Sequence, residues 1–482
     1  MISLPTTADG LSDYEAAEFN ALVQVWQATT PNNSERMLYY LGKNPLKDLG
    51  VSIPPKLRQT RTVVGWPAKA VDMLAARSMF DGFVTTDPTD DPLGLRDILA
   101  ENQFDLLYEQ AVRSQLIHCA AFWTVGRGDR SRGEPEVLIS MNSAQYAAGL
   151  WDHRKRQIRS GMAVTDLSII DPSQPTAITM YLSDVVLLLE RSKDTGQWTV
   201  VERMHNPLGR PLMEPMPYLP DFERPFGRSR ISDEVMSITD SAQREALRGE
   251  VLMEIYTAPQ RAIIGADEES FDWDKWNTYM SSFIRMSRDD EGNVPQLVQQ
   301  PQVSPSGAIS YMQHLATRFA GATGVPVSSL GVVQENPASA EAIYAAKDDL
   351  VTMAQSLNRT NRIAVANVMR MAYALREGLT MQELPVEAVN LTARFRNPAM
   401  PSVVSQSDAM VKQISAIPWL ADTEVALEEL GYDEAQILRL MADKRRLEGR
   451  GIVDALMNAR PKVEVRESET ETLGVEDVVA SR

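Results

Sequence analysis

Residues 323–342 read TGVPVSSLGVVQENPASAEA, and this stretch decides how the rest of the chain is organised. It holds two Gly, two Pro and three Ser with valines and a leucine between them, and no charge occurs before Glu335. Helical patterns flank it on both sides. An ordinary surface connection is shorter and more polar. An apolar, almost uncharged loop of this length therefore indicates a specialised role.

The helical patterns on the two sides of the loop differ in length. On its N-terminal side, apolar residues recur at helical spacing from Ser306 to Phe319. On its C-terminal side, Asn336 as N-cap and Pro337 at the first helical position begin a pattern that continues to Gly378. That pattern spans roughly 60 Å at a rise of about 1.5 Å per residue. Such a length is unusual within one compact globule and indicates a scaffold or an assembly seam.

Residues 1–225 combine helices with a predicted antiparallel sheet. We predict helices that begin at Ser12 and at Pro31, one from Gln59 to Met79 with a kink or break at Pro67, and one from Leu93 to Cys119. Short apolar runs between residues 122 and 203, separated by turn residues, predict antiparallel strands. Residues 207–225 hold six prolines and predict a boundary. The fold class is therefore α+β and mainly helical.

The chain beyond this boundary is again mainly helical. Ser229 or Ser232 begins a long helix that Pro259 ends, and residues 260–305 form an interruption that starts with a predicted strand. The interruption carries aromatic side chains that form either a small local core or a surface facing a partner: Phe271, Trp273, Trp276, Tyr279 and Phe283.

The C-terminal part is predicted to contain a strand, then charged helices and then a disordered tail. Residues 386–395 predict a strand, and residues 403–448 predict charged helices. Residues 459–482 are acidic and poor in aromatic side chains, which predicts a disordered tail.

Composition excludes several classes of protein. At 482 residues the chain has room for about three domains. Its formal net charge of −17 argues against a general nucleic-acid binder, because phosphate binding needs clustered Lys and Arg. Cys119 is the only cysteine, so no internal disulfide forms. Apolar runs are too short to cross a membrane, and the first residues lack the pattern of an export signal.

No pattern for catalysis or for metal binding occurs. The four histidines lie far apart, and the chain has no phosphate-binding P-loop, no dinucleotide fingerprint and no nucleophile elbow. We therefore expect no enzyme, no cofactor and no metal. Residues 289–293 (DDEGN) are interpreted as a plain turn and not as a calcium loop. The basic run 153–159 is either a solvated hairpin or a contact for nucleic acid or an acidic partner.

From about Gly227 onward, the order of elements resembles the portal proteins of long-tailed, siphovirus-type bacteriophages with double-stranded DNA. The likeness is carried by FGRS at 226–229 before a long helix, by the inserted segment 260–305, by FAGATGVP at 319–326, and by SAEA at 339–342. Upstream, RMLYYLG at 36–42 is similar to the early YY-x-G element of the family. The likeness spans most of the chain as an order of elements.

The resemblance implies the portal architecture for this chain. Its domains would be the wing (1–225), the first stem helix (226–259), the clip (260–305), the second stem helix (306–322), the tunnel loop (323–336), the long wing helix with a returning strand (337–400), the crown helices (401–458) and the acidic tail (459–482).

The resemblance also implies a function and a set of partners. About twelve copies would form a ring at one capsid vertex, assembled in the host cytoplasm. Viral double-stranded DNA would be packaged and ejected through the ring without sequence readout. The ring would bind terminase, a head-completion or adaptor protein, and the major capsid or scaffolding protein. Portal proteins are not themselves ATPases, which agrees with the missing P-loop.

Three sets of site residues follow from this resemblance. The tunnel loop would place Val325, Val327, Ser328, Ser329, Leu330, Val332, Val333 and Gln334 near the DNA, either touching it or packing against neighbouring loops. Acidic stem residues Asp233, Glu234, Asp240, Glu250 and Glu254 would line the channel and repel phosphates, or else form salt bridges between helices. In the clip, Phe271, Trp273 and Trp276 would dock partner proteins.

Two other functions compete with the portal hypothesis. A different head–tail connector or capsid-assembly scaffold would use the same long helices without a DNA channel. An enzyme with a dispersed site would need a large pocket, which we do not expect. Particle shape separates the portal from the connector or scaffold, because a portal forms rings with a central hole.

Overall fold

The computed structural model describes residues 4–47, 62–86, 91–257, 261–264, 296–299, 304–331, 340–399, 403–432 and 434–458. The chain divides into two compact units, Met1–Ala399 and Met400–Arg482. Within the described ranges, no helix is both long and apolar enough to cross a membrane.

Eleven α-helices lie within these ranges, and we number them in chain order. They are α1 (Asp13–Tyr40), α2 (Trp66–Ala75), α3 (Leu95–Glu101), α4 (Phe104–His118), α5 (Asp233–Thr257), α6 (Ser306–Thr323), α7 (Ala340–Glu377), α8 (Val386–Val389), α9 (Val403–Ala416), α10 (Glu424–Glu429) and α11 (Glu434–Asn458).

Twelve strands in the described ranges form antiparallel sheets. They are β1 (Phe80–Val84), β2 (Ala120–Arg127), β3 (Val137–Ser143), β4 (Ala147–Asp152), β5 (Gln157–Leu167), β6 (Pro175–Tyr181), β7 (Val185–Arg191), β8 (Trp198–His205), β9 (Met213–Pro217), β10 (Arg261–Ile264), β11 (Gln296–Gln299) and β12 (Thr392–Phe395). The sheet orders are β4-β5-β6-β7-β8, β3-β2-β9, β1-β12 and β10-β11. The prediction of a mainly helical α+β fold is confirmed.

Helix α1 begins with the predicted capping box but is longer than predicted. The Ser12 backbone N–H donates to Glu15 Oε2 at 2.7 Å, and the Glu15 N–H donates to Ser12 Oγ at 3.4 Å. Pro31 lies inside this helix, so the separate helix predicted to begin there is wrong. Side chains on both sides of Pro31 hold the helix to the chain before β4, because Trp26 donates to the Gln145 carbonyl and Asn33 to the Ala144 carbonyl.

Two further predicted helices end earlier or break. The helix predicted over 59–79 starts only at Trp66 in the described residues, with Pro67 in its first turn, and it ends at Ala75. The helix predicted over 93–119 is broken before α4, where Gln103 adopts a left-handed φ of 49°. Asn102 explains this break, because its side chain donates to the Val137 carbonyl at 2.9 Å and accepts from the Ile139 N–H at 2.8 Å.

The proline-rich stretch 207–225 is not a boundary between cores. Its residues 213–217 form β9, an edge strand in which Pro215 lies opposite Phe122 and Pro217 opposite Ala120 of β2. Proline is tolerated at a sheet edge because a ladder hydrogen bond is missing there in any case.

The strand predicted over 386–395 is also shorter than expected. Pro385 precedes the short helix α8, and only Thr392–Phe395 form β12, which pairs with β1. The predicted start signals of the long helix, Asn336 and Pro337, lie outside the described residues, and α7 is described from Ala340.

One large core joins residues that the resemblance assigned to the wing and to the stem. Trp66 of α2 packs against Phe319 of α6 with ring centroids 5.5 Å apart. Phe104 of α4 stacks on Trp123 of β2 at 5.1 Å. Buried residues of α5 and α7 complete this cluster. The stem helices are therefore packed into the same core as the sheet and α4.

A second core lies between α1 and the five-stranded sheet. Phe19 and Leu22 of α1 pack with Met162, Ile178 and Leu187 from successive strands. The exposed positions of β5 and β7 carry polar or charged side chains.

Candidate functional site

The candidate site is the region where α5, α6 and the start of the predicted tunnel loop meet. Helix α6 ends at Gly324, which adopts a left-handed φ of 66° and donates its N–H to the Ala320 carbonyl at 2.8 Å. A Cβ at this position would lie 2.9 Å from Met353 Cε of α7. The glycine is required here by both its backbone conformation and its close contact with α7.

The described part of the loop, up to Gly331, is folded onto the core. Val325 and Leu330 are buried in the large core, and residues 327–330 form a single 3-10 turn. Ser328 is exposed, whereas Val327 and Ser329 are half-buried. The prediction that Val325 and Leu330 face the DNA or neighbouring loops is therefore wrong, because their side chains fill the protein's own interior.

Three other predicted loop residues, Val332, Val333 and Gln334, lie outside the described residues. Of the described candidates, Ser328 alone is exposed.

Arg230, just before α5, anchors the base of this loop. Its guanidinium is 6% exposed. It donates through Nη2 to the Thr323 carbonyl at 2.6 Å, through Nε to the Ala70 carbonyl at 2.7 Å, and through Nη1 to the Tyr218 hydroxyl at 3.3 Å. Thr323 is the last residue of α6, so the positive charge lies at the negative end of the helix dipole. The charge therefore holds α2, β9 and α6 together.

No carboxylate is among the hydrogen-bond partners of Arg230. Burial lowers the pKa of Arg230, but guanidinium pKa values are high enough for the group to remain charged. The four contacts, which include Met353 Sδ at 3.6 Å, distribute this charge over neutral acceptors. Removing the guanidinium would leave buried carbonyls without donors, which is costly.

The acidic residues predicted to line the channel separate into two groups. Asp233, Glu234 and Glu250 of α5 are exposed. Asp233 and Glu234 lie in the first turn, where the helix dipole stabilises negative charge. They make no ion pair with another described residue. The side chain of Glu254 is outside the described part.

Asp240 does not line any channel, which corrects the prediction. Its carboxylate is buried, accepts from the Tyr39 hydroxyl at 2.7 Å and from Asn44 at 3.5 Å, and pairs with Lys47 at 3.2 Å. Burial raises the pKa of Tyr39 to about 12, and the hydrogen bond to Tyr39 raises the pKa of Lys47. The Tyr39 hydroxyl and the Lys47 ammonium therefore stay protonated at neutral pH.

Helix α5 carries exposed and buried carboxylates on the same side, because Asp233 lies seven residues before the buried Asp240. Asp240 pairs with Lys47, and Arg244 donates to the Lys47 carbonyl at 3.1 Å. Glu245 is also buried and pairs with Arg248 of the same helix at 3.5 Å. Asp233, Glu234 and Glu250 are exposed at other points along the helix. The ion pairs of Asp240 and Glu245 join α5 to Lys47 or lie within the helix, so they are not the predicted salt bridges between helices.

The remaining candidates of the sequence contribute little to this site. The clip aromatics Phe271, Trp273 and Trp276 lie outside the described residues. The basic run is the exposed turn between β4 and β5, with Arg159 paired to Glu18 at 2.9 Å. In the described ranges, no cluster of three His, Cys, Asp or Glu side chains is placed to hold a metal ion.

A surface cavity of about 490 Å³ lies beside the end of α7. Arg130 in its wall pairs with Glu136, and Arg376 donates to the carbonyls of Leu93 and Gly94. The lining also includes Ser131, whose hydroxyl donates to the Asp129 carboxylate in the turn between β2 and β3.

Comparison with known proteins identifies the family. Residues 21–437 match the family model described as "Phage portal protein, SPP1 Gp6-like", and this match covers well over half of the chain. The chain belongs to this family of phage portal proteins. Portal proteins are structural components of the virion that form the channel of the capsid vertex. The portal function predicted from the sequence is therefore confirmed.

Portal proteins of two mycobacteriophages are similar to the chain over nearly its whole length. It is 24% identical over 458 residues to the portal protein of Mycobacterium phage D29, covering 92% of this chain and 91% of that protein. It is 23% identical over 456 residues to the portal protein of Mycobacterium phage L5, with the same coverage.

Solved structures of a native gene transfer agent are also similar. The virion and the neck computed with C12 symmetry each match at a TM-score of 0.44 and 12% identity, covering 83% of this chain and 94% of theirs. A TM-score of 0.44 is too low to support an argument about the assembly of this portal.

Sequence reasoning missed the anchoring role of Arg230. The residue stands in FGRSRIS (226–232), just before α5. Arg228 of the same segment is exposed, so no local pattern marks Arg230 for burial. Its burial follows from tertiary contacts with residues distant in the sequence.

Proposed function

We propose that about twelve copies of this portal form a closed ring whose centre is lined by the exposed carboxylates of α5. The observation that carries the proposal is the exposure of Asp233, Glu234 and Glu250 on this helix. Asp240 takes no part, because Tyr39, Asn44 and Lys47 hold its carboxylate in the interior. A ring repeats the exposed carboxylates once per copy.

Acidic residues suit a channel that must pass DNA without retaining it. Lysine or arginine would form ion pairs with phosphates and release counterions, which favours binding. Carboxylates repel phosphates over roughly 8–10 Å at physiological ionic strength. The strongly negative net charge of the chain supports this role.

The tunnel loop would act as an uncharged constriction with a fixed base. Arg230 and Gly324 hold the start of the loop against α2 and α7, and Val325 and Leu330 are packed in the core. Ser328 would therefore be the described side chain nearest to the DNA. A hydroxyl group makes weak contacts with phosphates, so passing DNA would not be trapped there.

The remaining domains would provide the docking surfaces. Residues 260–305 would form the clip, with Phe271, Trp273 and Trp276 as contacts for terminase during packaging and for a head-completion or adaptor protein afterwards. Residues 401–458 would form the crown, and the major capsid or scaffolding protein would contact the ring. Assembly would take place in the host cytoplasm before DNA enters.

The proposal is tested by adding charge to the loop. We expect Ser328→Lys to leave ring formation intact and to increase DNA retained by purified rings at least tenfold in low salt, because each copy adds one phosphate contact. Thr195→Lys adds the same charge at the exposed β7–β8 turn and serves as the matched control. Retention is measured by filter binding, and packaging by DNA protected from nuclease.

Two outcomes would overturn the proposal. Equal retention by the Ser328→Lys and Thr195→Lys rings would mean that the loop does not face the channel. Monomers, open filaments or rings without a central hole would favour the alternative of a connector or scaffold protein without a DNA channel.

A further inference from the structure

The C-terminal unit exposes far more apolar surface than it buries. Within its described side chains, the buried apolar residues are Met410, Ala426 and Ile437. The exposed large apolar residues are Val411, Ile417, Trp419, Val425, Tyr432, Leu438, Leu440 and Leu447. Scattered exposed leucines are ordinary, but a set of this size on so small a unit marks an interaction surface.

The apolar face of α11 is only partly covered among the described side chains. Ile437 is buried and Met441 half-buried. Leu440 and Leu447 lie seven residues apart at the edge of the same apolar face, and both are exposed. This exposed leucine stripe is available to contact a second partner.

Two arginines lie on the neighbouring stripe of α11. Arg439 and Arg446 each precede one of the exposed leucines, so they are seven residues apart and lie about 100° around the helix from the leucines. Both are exposed, and Arg446 makes only a solvent-exposed contact of 3.4 Å with Asp443. We call Arg439, Leu440, Arg446 and Leu447 the basic surface.

A surface of the opposite charge occurs in the same unit. Helix α10 carries three glutamates and no basic residue, and Val425 is exposed between Glu424 and Glu429. Trp419, in the turn before α10, is 69% exposed. Neither Glu424 nor Glu429 forms an ion pair with another described residue. We call Trp419, Glu424, Val425 and Glu429 the acidic surface.

We propose that the basic surface of one copy docks on the acidic surface of the next copy in the ring. This inference rests on the ring assembly of the proposed function. The two surfaces match because each combines two apolar side chains with two like charges, and the charges are opposite. A contact between two different surfaces of identical copies is head-to-tail, and repeated around an axis it closes into a ring.

A second copy fits these surfaces better than DNA does. DNA would use the arginines of the basic surface, but it would leave Leu440, Leu447 and the whole acidic surface uncovered. A different acidic protein would satisfy the basic surface alone. Only a partner that carries both surfaces covers both at once, and the chain itself is such a partner.

The test is amide hydrogen exchange of full-length rings and of subunits separated from them by size. We expect the α11 amides to exchange about tenfold more slowly in the ring, because docking covers the helix. Arg439→Glu with Arg446→Glu should abolish this difference. Glu424→Arg with Glu429→Arg should do the same, and combining all four substitutions should restore it.

A matched control uses Lys412→Glu with Arg445→Glu. These residues are also exposed, Arg445 lies on α11 away from the leucine stripe, and the net charge changes equally. This control should keep the slow exchange. The wild-type comparison needs no substitution, so it holds even where a variant folds poorly.

Three results would overturn the docking. They are equal exchange of α11 in rings and subunits, no restoration in the fourfold variant, and protection that appears only when DNA or another head protein is added. A ring with an unprotected α11 would contradict this inference alone. Failure to form any ring would contradict the proposed function as well.

Discussion

The two units of the chain differ in how they use apolar side chains. In Met1–Ala399, residues far apart in sequence share large cores, and side chains such as Leu116 and Trp123 are completely buried. In Met400–Arg482, the described helices bury few apolar side chains and expose many. The first unit is therefore stabilised by its own interior, whereas the described part of the second would gain burial from the docking that we propose. Small units with little buried area need such outside support.

The largest expected difference comes from the same substitution in each unit. Leu116→Ala should lower the free energy of unfolding by about 3.5 kcal/mol, because it removes a buried side chain and leaves a cavity. Leu447→Ala should change that of the isolated subunit by less than about 0.5 kcal/mol, because the side chain is 68% exposed. Urea unfolding of separated subunits measures both. Similar losses would show that the second unit has a core of its own.

Replacing Arg230 tests whether its buried hydrogen bonds stabilise the first unit. Arg230→Met should lower the free energy of unfolding by roughly 3 kcal/mol, because the buried carbonyls of Ala70 and Thr323 lose their hydrogen-bond donor. Arg228→Met removes a surface ion pair with Asp221 and should cost less than about 1 kcal/mol. Thermal or urea unfolding compares the two. If both variants were equally stable, Arg230 would not be an anchor.

The pH dependence of the first unit should contain a contribution from His118. Burial and, to a smaller extent, the neighbouring positive charge of Arg36 lower the pKa of His118 to about 4. The unfolded chain therefore binds more protons than the folded one below pH ~6.5, so stability falls with falling pH. Between roughly pH 6.5 and 4.5, the His118→Leu variant should lose about 2 kcal/mol less stability than the wild type.

The control for this prediction is His153→Leu, because His153 is exposed at the β4–β5 turn. Unfolding by urea at a series of pH values gives both profiles. The same pH profile in wild type and His118→Leu between roughly pH 6.5 and 4.5 would contradict this assignment. Glu15 contributes at lower pH, because the hydrogen bond from Arg203 lowers its pKa to about 2 and its stabilising effect is lost only below about pH 4.5.

The smallest expected change in the free energy of unfolding concerns Asp240, the buried carboxylate of α5. Tyr39→Phe removes the hydroxyl that donates to Asp240 and should cost about 1.5 kcal/mol, because the lost bond is to a carboxylate. Tyr14→Phe changes an exposed tyrosine and should cost almost nothing. Double-variant analysis with Asp240→Asn should give non-additive losses. Additive losses would mean that Tyr39 does not hold Asp240.

Much of the fold could be predicted from periodicity and capping signals. The capping box at Ser12, the antiparallel strands and the pair of long helices are local patterns, and they agree with the structure. The errors occur where a distant contact overrides local preference. Asn102 breaks a helix because it binds the edge of β3, and α1 continues through Pro31 because its neighbours bind the chain before β4.

The candidate site shows the same division between local and distant effects. The lack of charge in the loop and the acidity of α5 are visible in the sequence. The burial of Val325, Leu330 and Asp240 depends on residues more than a hundred positions away, such as Tyr39, and no periodicity reveals it. The exposed leucine stripe of α11 was visible as spacing, but its exposure follows only from the packing of the unit.

A single-particle reconstruction of the purified full-length assembly tests the central claim most directly. We predict a closed ring with a central passage, in which Asp233, Glu234 and Glu250 face the passage and α11 of each copy contacts α10 of the next. A ring whose α5 carboxylates face away from the passage would contradict the proposed channel. Particles that remain single subunits or form open filaments would contradict the ring itself.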